Sequence, residues 1–256
     1  MVFLRKYVLP LMLTGGLLTS AALMQWLADR SPSELSVVED QTRREAGFLF
    51  ARGLSLMGYR NLAASWLWLD FIQYMGDTQA RSEVGYPLAD DYLNQITDQD
   101  PFFFPAYLYA TYALAFSAAQ PEVAVDILEK GAQFITPDNN PNAFSLYFRA
   151  AIIYFLFLGD EVAAREAFYN AADWYEAAGH GSAQGMRDLG DNIINNPLSE
   201  NVRFSTWLYA YQTTFEAETR ELILEELNQL GTVRVDPETG ELLEVIPPTP
   251  DNLPDD

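Results

Sequence analysis

The stretch GDEVAAREAFYNAA, residues 159–172, decides how this chain is read. Gly159-Asp160 is a turn pair, and a helix starting after it carries Ala164, Phe168 and Ala171 at +4 and +3 spacing, on one face. Small residues let a second helix approach closely, and the bulky one fills the gap to the next pair. The same offsets recur upstream. Ala89, Leu93 and Ile96 keep them, and Asp100-Pro101 stops that helix, because proline lacks an N–H and clashes with the preceding turn. Ala124, Leu128 and Gly131 keep them ahead of Thr136-Pro137. Helices over 103–118 and 142–158 precede the helices of 121–135 and of 160 onward, so the central chain is predicted to be a run of helix pairs.

These residues resemble the tetratricopeptide-repeat family, whose pattern is a Gly-Asp or similar turn, then small, bulky and small residues on the second helix, then a proline. Gly159, Asp160, Ala164, Phe168 and Ala171 match it; Ala89, Leu93, Ile96, Asp100 and Pro101 match its second half. The chain departs from it in spacing: Ala89, Ala124 and Ala164 stand 35 and 40 residues apart. The first helices also lack the family's Trp, Gly and Tyr signature. The resemblance covers about residues 60–178. It implies an all-α, helix-pair solenoid of tetratricopeptide-like repeats that holds other proteins and carries no chemistry of its own.

Further out, Ser31-Pro32-Ser33-Glu34 reads as a helix start, with Ser31 as cap and Pro32 at the first position, opening a helix over 33–57. Gly58 and Asn61 interrupt before a helix over 62–75 that is apolar around most of its girth, as buried helices are. Beyond the repeats a helix is expected over 183–194, weakened by Gly185 and Gly190. One long helix is expected over 201–230, with Trp207, Leu208, Tyr211, Phe215, Leu222 and Leu227 as its apolar face, capping the stack. A small hairpin around Asp236–Gly240 and a tail with four prolines and three aspartates close the chain. The domains are therefore 1–30, 31–231 and 232–256.

Residues 7–27, YVLPLMLTGGLLTSAALMQWL, carry no charge, and about 20 such residues cross a hydrocarbon core of ~30 Å. Arg5 and Lys6 precede the stretch and Trp26 ends it, which puts the N-terminus in the cytoplasm and the body in the periplasm or a thylakoid lumen. A cleaved signal peptide, with Ser20 and Ala22 before the cut, is the competing reading. The apolar run continues through Leu27, which suits an anchor better.

The formal charge is −21, with only two lysines, Lys6 and Lys130. So acidic a chain is repelled by phosphate backbones, which excludes nucleic acid as the expected partner. Solubility, a basic partner and a high-salt cell all remain open as its meaning. There is no cysteine, hence no disulfide, thiolate or Cys-ligated zinc. The single histidine, His180, lies in a Gly-rich turn and reads as solvated rather than as a base. No phosphate loop, dinucleotide motif or EF-hand spacing occurs.

Neither an enzymatic activity nor a cofactor or metal is expected. The expected partners are other membrane or envelope proteins, and Tyr107, Tyr109, Tyr112, Phe144 and Tyr147 are candidates for the groove that holds them. Asp70 is the one acid expected to be partly buried, paired with Arg60, Arg81 or a neighbouring helix end. Together with Trp66, Trp68 and Gln73 it marks the alternative, a small-ligand-binding or hydrolytic pocket.

Overall fold

The computed structural model describes residues 37–214, 217–237 and 239–248. The uncharged stretch 7–27, the Ser31 cap, Phe215 and the tail from 249 lie outside the described residues. Among the described residues the chain is helical apart from one two-stranded hairpin, and no helix is long and apolar enough to cross a membrane. The chain divides after Ala46. In the N-terminal unit Asp40 is clamped by Arg43 at 2.7 Å and Arg44 at 2.6 Å, one helical turn away on α1 (Val37–Leu56).

The body opens with the remainder of α1 and with α2 (Arg60–Gly76), which ends at Asp77. The Asp77 carboxylate then accepts from the Ala80 N–H at 3.1 Å and caps α3 (Thr78–Val84). α4 (Ala89–Gln99) returns against α2. Next come α5 (Phe104–Ala110), which runs on as a π-helix, π1 (Thr111–Ser117), and its partner α6 (Pro121–Ala132). α7 (Phe144–Ile153) likewise runs on as π2 (Tyr154–Leu158) and reverses through Gly159-Asp160 into α8 (Glu161–Ala177). α9 (Gln184–Asn195), α10 (Glu200–Thr213) and α11 (Ala217–Leu230) complete the helices.

The small-bulky-small residues lie where the helices close on each other. Ala89, Leu93, Ile96, Ala124, Leu128, Gly131, Ala164, Phe168 and Ala171 are all buried. At Gly131 the approach is so close that an added Cβ would stand 2.7 Å from the Tyr107 ring. Each fully buried Leu, Ile or Phe contributes about 1.5–3 kcal/mol, and these residues belong to two adjoining apolar clusters. One centres on α2 to α7 and the other on α7 to α11.

Four features differ from the sequence reading. First, the helices expected over 103–118 and 142–158 do not stay α-helical; both widen to π-helices in their second halves. Each closes with a bond back six residues, Gln120 N–H to Leu114 O (2.8 Å) and Asp160 N–H to Tyr154 O (2.9 Å). Each then turns through a left-handed residue, Ala119 (φ 53°) and Gly159 (φ 64°). Second, the helix over 201–230 is two helices. Thr214, after a β-branched neighbour, is extended (φ −97°, ψ 133°), so α11 folds back on α10 and buries Ile223 and Leu227 with Phe204 and Tyr211. Leu222, expected on the apolar face, is exposed. Third, Gly185 and Gly190 do not interrupt α9; Gly190 is buried where α9 crosses Arg165 and Phe168 on α8. Fourth, His180 is not simply solvated: its Nε2 meets Pro141 O at 2.8 Å and its ring lies against Phe144 and Tyr175.

β1 (Thr232–Val235) and β2 (Leu242–Ile246) form the antiparallel hairpin expected there, pairing Thr232 with Ile246 and Val233 with Val245. Asp236 organises its turn by accepting from the Thr239 N–H (2.9 Å), and the Tyr211 hydroxyl donates to Gly240 O (2.9 Å), fixing the hairpin to α10.

Candidate functional site

Aromatic ring contacts connect the helix pairs, beside polar links such as that of Lys130 on α6 to Asp98 on α4. Trp68 on α2 meets Tyr109 on α5 edge-on, with ring centroids 5.6 Å apart, and Tyr109 meets Tyr112 at 5.1 Å. Phe116 on π1 meets Phe157 on π2 at 5.0 Å, and Phe157 meets Trp207 on α10 at 5.9 Å. Ring contacts thus run from α2 to α5, and from π1 to π2 and α10. Trp68, Phe103, Tyr109, Phe116 and Phe157 are only half-buried, leaving apolar surface along this run.

The candidate groove residues separate. Tyr107 is fully buried beneath Gly131 and its hydroxyl donates to Pro101 O at 3.1 Å, so it belongs to the core. Burial first, then the charges of Asp100 and Asp98, push its phenol up to about 12. Tyr112 is also buried. Tyr109, Phe144 and Tyr147 are half-buried. Phe144 packs on Tyr175 and His180, and Tyr147 on Trp174 at 4.8 Å. The Tyr147 phenol is raised by burial and then by Glu129 and Glu166. The neighbouring Tyr154 hydroxyl donates to Glu129 Oε1 at 2.8 Å and is raised in the same way, by burial and by that carboxylate.

Trp66, Trp68, Asp70 and Gln73 do not converge. Trp66 turns to α1, against Phe50 at 5.5 Å and Gly47. Trp68 turns to Phe71, Phe103 and Tyr109. Gln73 is exposed. Asp70 is partly buried, as expected, and accepts a short hydrogen bond from the Tyr92 hydroxyl of α4. The arginines expected beside it are engaged elsewhere: Arg60 donates to Asp98 O, and Arg81 donates to Gly85 O (2.7 Å) with its guanidinium 3.9 Å above the Tyr74 ring.

One cleft went unread in the sequence. Between α8 and α9 an open groove of about 590 Å³ is lined by Val162, Arg165, Tyr169, Asn170, Asp191 and Ile194 among others. Arg165 pairs with Asp191 at 2.8 Å and stacks over Tyr169, whose hydroxyl donates to the same carboxylate at 3.0 Å. Arg165 and then Tyr169 hold the Asp191 carboxyl below its usual range. The spacing of Arg165 and Tyr169, one turn apart on α8, was visible; Asp191 across from them was not, because α9 was read as broken. Next to it Arg187 binds Glu176 (2.7 Å) and Asp173 (2.6 Å). The Arg165–Asp191 pair thus forms a polar wall between exposed Val162 and Ile194, and Glu166 lines the cleft beside it. Among the described residues no group of His, Asp or Glu side chains is placed to hold a metal ion. Comparison with family models, with curated proteins and with solved structures gives no match.

Proposed function

We propose that this chain is a membrane-anchored protein-interaction scaffold built as a tetratricopeptide-like solenoid. Residues 7–27 anchor it. Its body, on the periplasmic or thylakoid-lumen side, holds segments of other membrane or envelope proteins and aids assembly or stability of their complex. The observation that carries this reading is the run of half-buried rings joining helices that open successive pairs: Trp68 to Tyr109, then Phe116 to Phe157 and Trp207. Stacked pairs align their first helices, and half-buried aromatics on such a surface give contact area at low entropic cost.

The test is affinity purification of the C-terminally tagged chain from gently solubilised membranes, with mass spectrometry of what accompanies it. A defined set of membrane proteins, lost on Tyr109→Ala and Tyr147→Ala together, supports the scaffold. Recovery of the folded chain alone refutes it.

A further inference from the structure

Exposed apolar side chains are concentrated at one end of the body. Leu49, Phe50 and Leu56 on α1, Met57 in the turn, and Leu62 and Leu69 on α2 are all more than half exposed, Leu56 at 86%, Leu62 at 57% and Leu69 at 63%. Leu49 and Leu56 are seven residues apart, as are Leu62 and Leu69, so each pair keeps to one helical face. The two faces are neighbours, because the Phe50 ring meets Trp66, which sits within one turn of both Leu62 and Leu69. Single exposed leucines are ordinary, whereas a grouped set of this size marks an interaction surface.

Charge identifies the occupant. Residues 1–81 hold eight basic and seven acidic side chains; residues 82–256 hold seven and 29. In sequence the acidic excess therefore falls after residue 81. Between Gly47 and Gly76 the one acid is Asp70, bonded to Tyr92, while Arg52 and Arg60 are exposed beside the apolar face. An apolar face whose own helices carry exposed arginine and aromatic rings and a single acid suits a phospholipid interface. Two copies of the chain meeting here would bring two charges of −21 together. The chain itself also supplies proximity. The nine residues between Leu27 and Val37 cannot carry α1 more than about 35 Å from the end of the uncharged stretch.

We propose that the α1–α2 face lies on the bilayer, with Leu49, Leu56, Leu62 and Leu69 immersed at its interface. This rests on the anchored reading above. A chain without cysteine allows the test directly. Leu69→Cys, Leu56→Cys and, as a control, Leu198→Cys (exposed, 91%) are each made in the full chain, labelled with a nitroxide and reconstituted in phosphatidylcholine–phosphatidylglycerol vesicles. Flotation with the vesicles reports anchoring; collision of the label with oxygen and with a water-soluble nickel complex reports immersion. The expected result is flotation of every variant, with loss of nickel collisions and gain of oxygen collisions at 56 and 69 but not at 198. A Leu49→Glu, Leu62→Glu variant, altered only at exposed positions, still floats and returns the label at 69 to water. Flotation with labels at 56 and 69 as open to nickel as at 198 overturns the docking alone. Shielding from both reagents overturns it in favour of a protein occupant. Failure to float overturns the anchored reading and the docking with it.

Discussion

Gly131→Ala is the substitution whose outcome follows most directly from the packing. Gly131 lies near the end of α6, and an added Cβ would stand 2.7, 2.9 and 3.0 Å from Cδ1, Cγ and Cε1 of Tyr107 on α5. Carbon atoms rest at about 3.5–4.0 Å. The ring cannot swing aside cheaply, since it is fully buried and its hydroxyl is held by Pro101 O at 3.1 Å. Either α5 and α6 separate or the ring leaves its position, and overpacking of this kind costs about 1–3 kcal/mol. Replacing a helical glycine by alanine returns about 0.5–1 kcal/mol, so the net loss is about 0.5–2 kcal/mol. In a urea titration with a slope of about 2 kcal/mol/M this lowers the midpoint by roughly 0.25–1 M. Gly53→Ala is the control: it is mid-helix in α1, a Cβ there meets nothing within 4 Å, and the midpoint should rise. A rise for Gly131→Ala matching that of Gly53→Ala would refute the proposed close approach of α5 and α6.

Three further outcomes are expected. Ala119 and Gly159 close the two π-helices in the same left-handed conformation, which costs an L-residue roughly 1–2 kcal/mol; Ala119→Gly should raise the urea midpoint and Gly159→Ala lower it by a comparable amount. The Glu176 carboxyl, held by Arg187 and then by the Ala183 N–H, is lowered from 4.5 to about 2, so its stabilising effect is complete above pH 4.5 and lost as pH falls towards 2; carboxyl NMR titration should show this, and Arg187→Gln should move the midpoint back up. The buried Tyr107 phenol, raised from 10.0 to about 12, favours the folded state below pH 10 and loses that effect as pH climbs through 12; Tyr107→Phe should remove one late-ionising phenol from the tyrosinate absorbance titration and leave those of Tyr147 and Tyr154.

The helix pairs were legible because their signals are local. Ala164, Phe168 and Ala171 sit on one helix, and Gly159-Asp160 and Asp100-Pro101 end segments wherever they occur. What was not legible depended on contacts between distant segments. Widening of 111–117 and 154–158 to π-helices leaves no mark in an unbroken apolar run; it brings Phe116 and Phe157 together across two pairs. The break at Thr214 follows from α11 burying Ile223 and Leu227 on α10, and a 3.6-residue pattern continuing across the break conceals it. Gly190 read as a weakness because glycine costs helix propensity, yet that same missing side chain lets α9 settle on Phe168.

The candidate site divides along the same line. Aromatic residues identify themselves in the sequence, but their burial is fixed by helix phase and by what stands opposite. Tyr107 and Tyr109 are two residues apart on α5 and so point roughly 200° apart around it. One is sealed under Gly131, while the other is only half-buried and reaches Trp68. Trp66 and Trp68 divide identically on α2, one towards Phe50 and the other towards Tyr109. Trp66 and Trp68 therefore face different neighbours, whereas Trp68 and Tyr109, 41 positions apart, are brought together only where α2 meets α5. A protein partner recognised there depends on the angle between pairs, so substitutions that shift packing, such as Gly131→Ala, should weaken partner recovery even though residue 131 touches no surface.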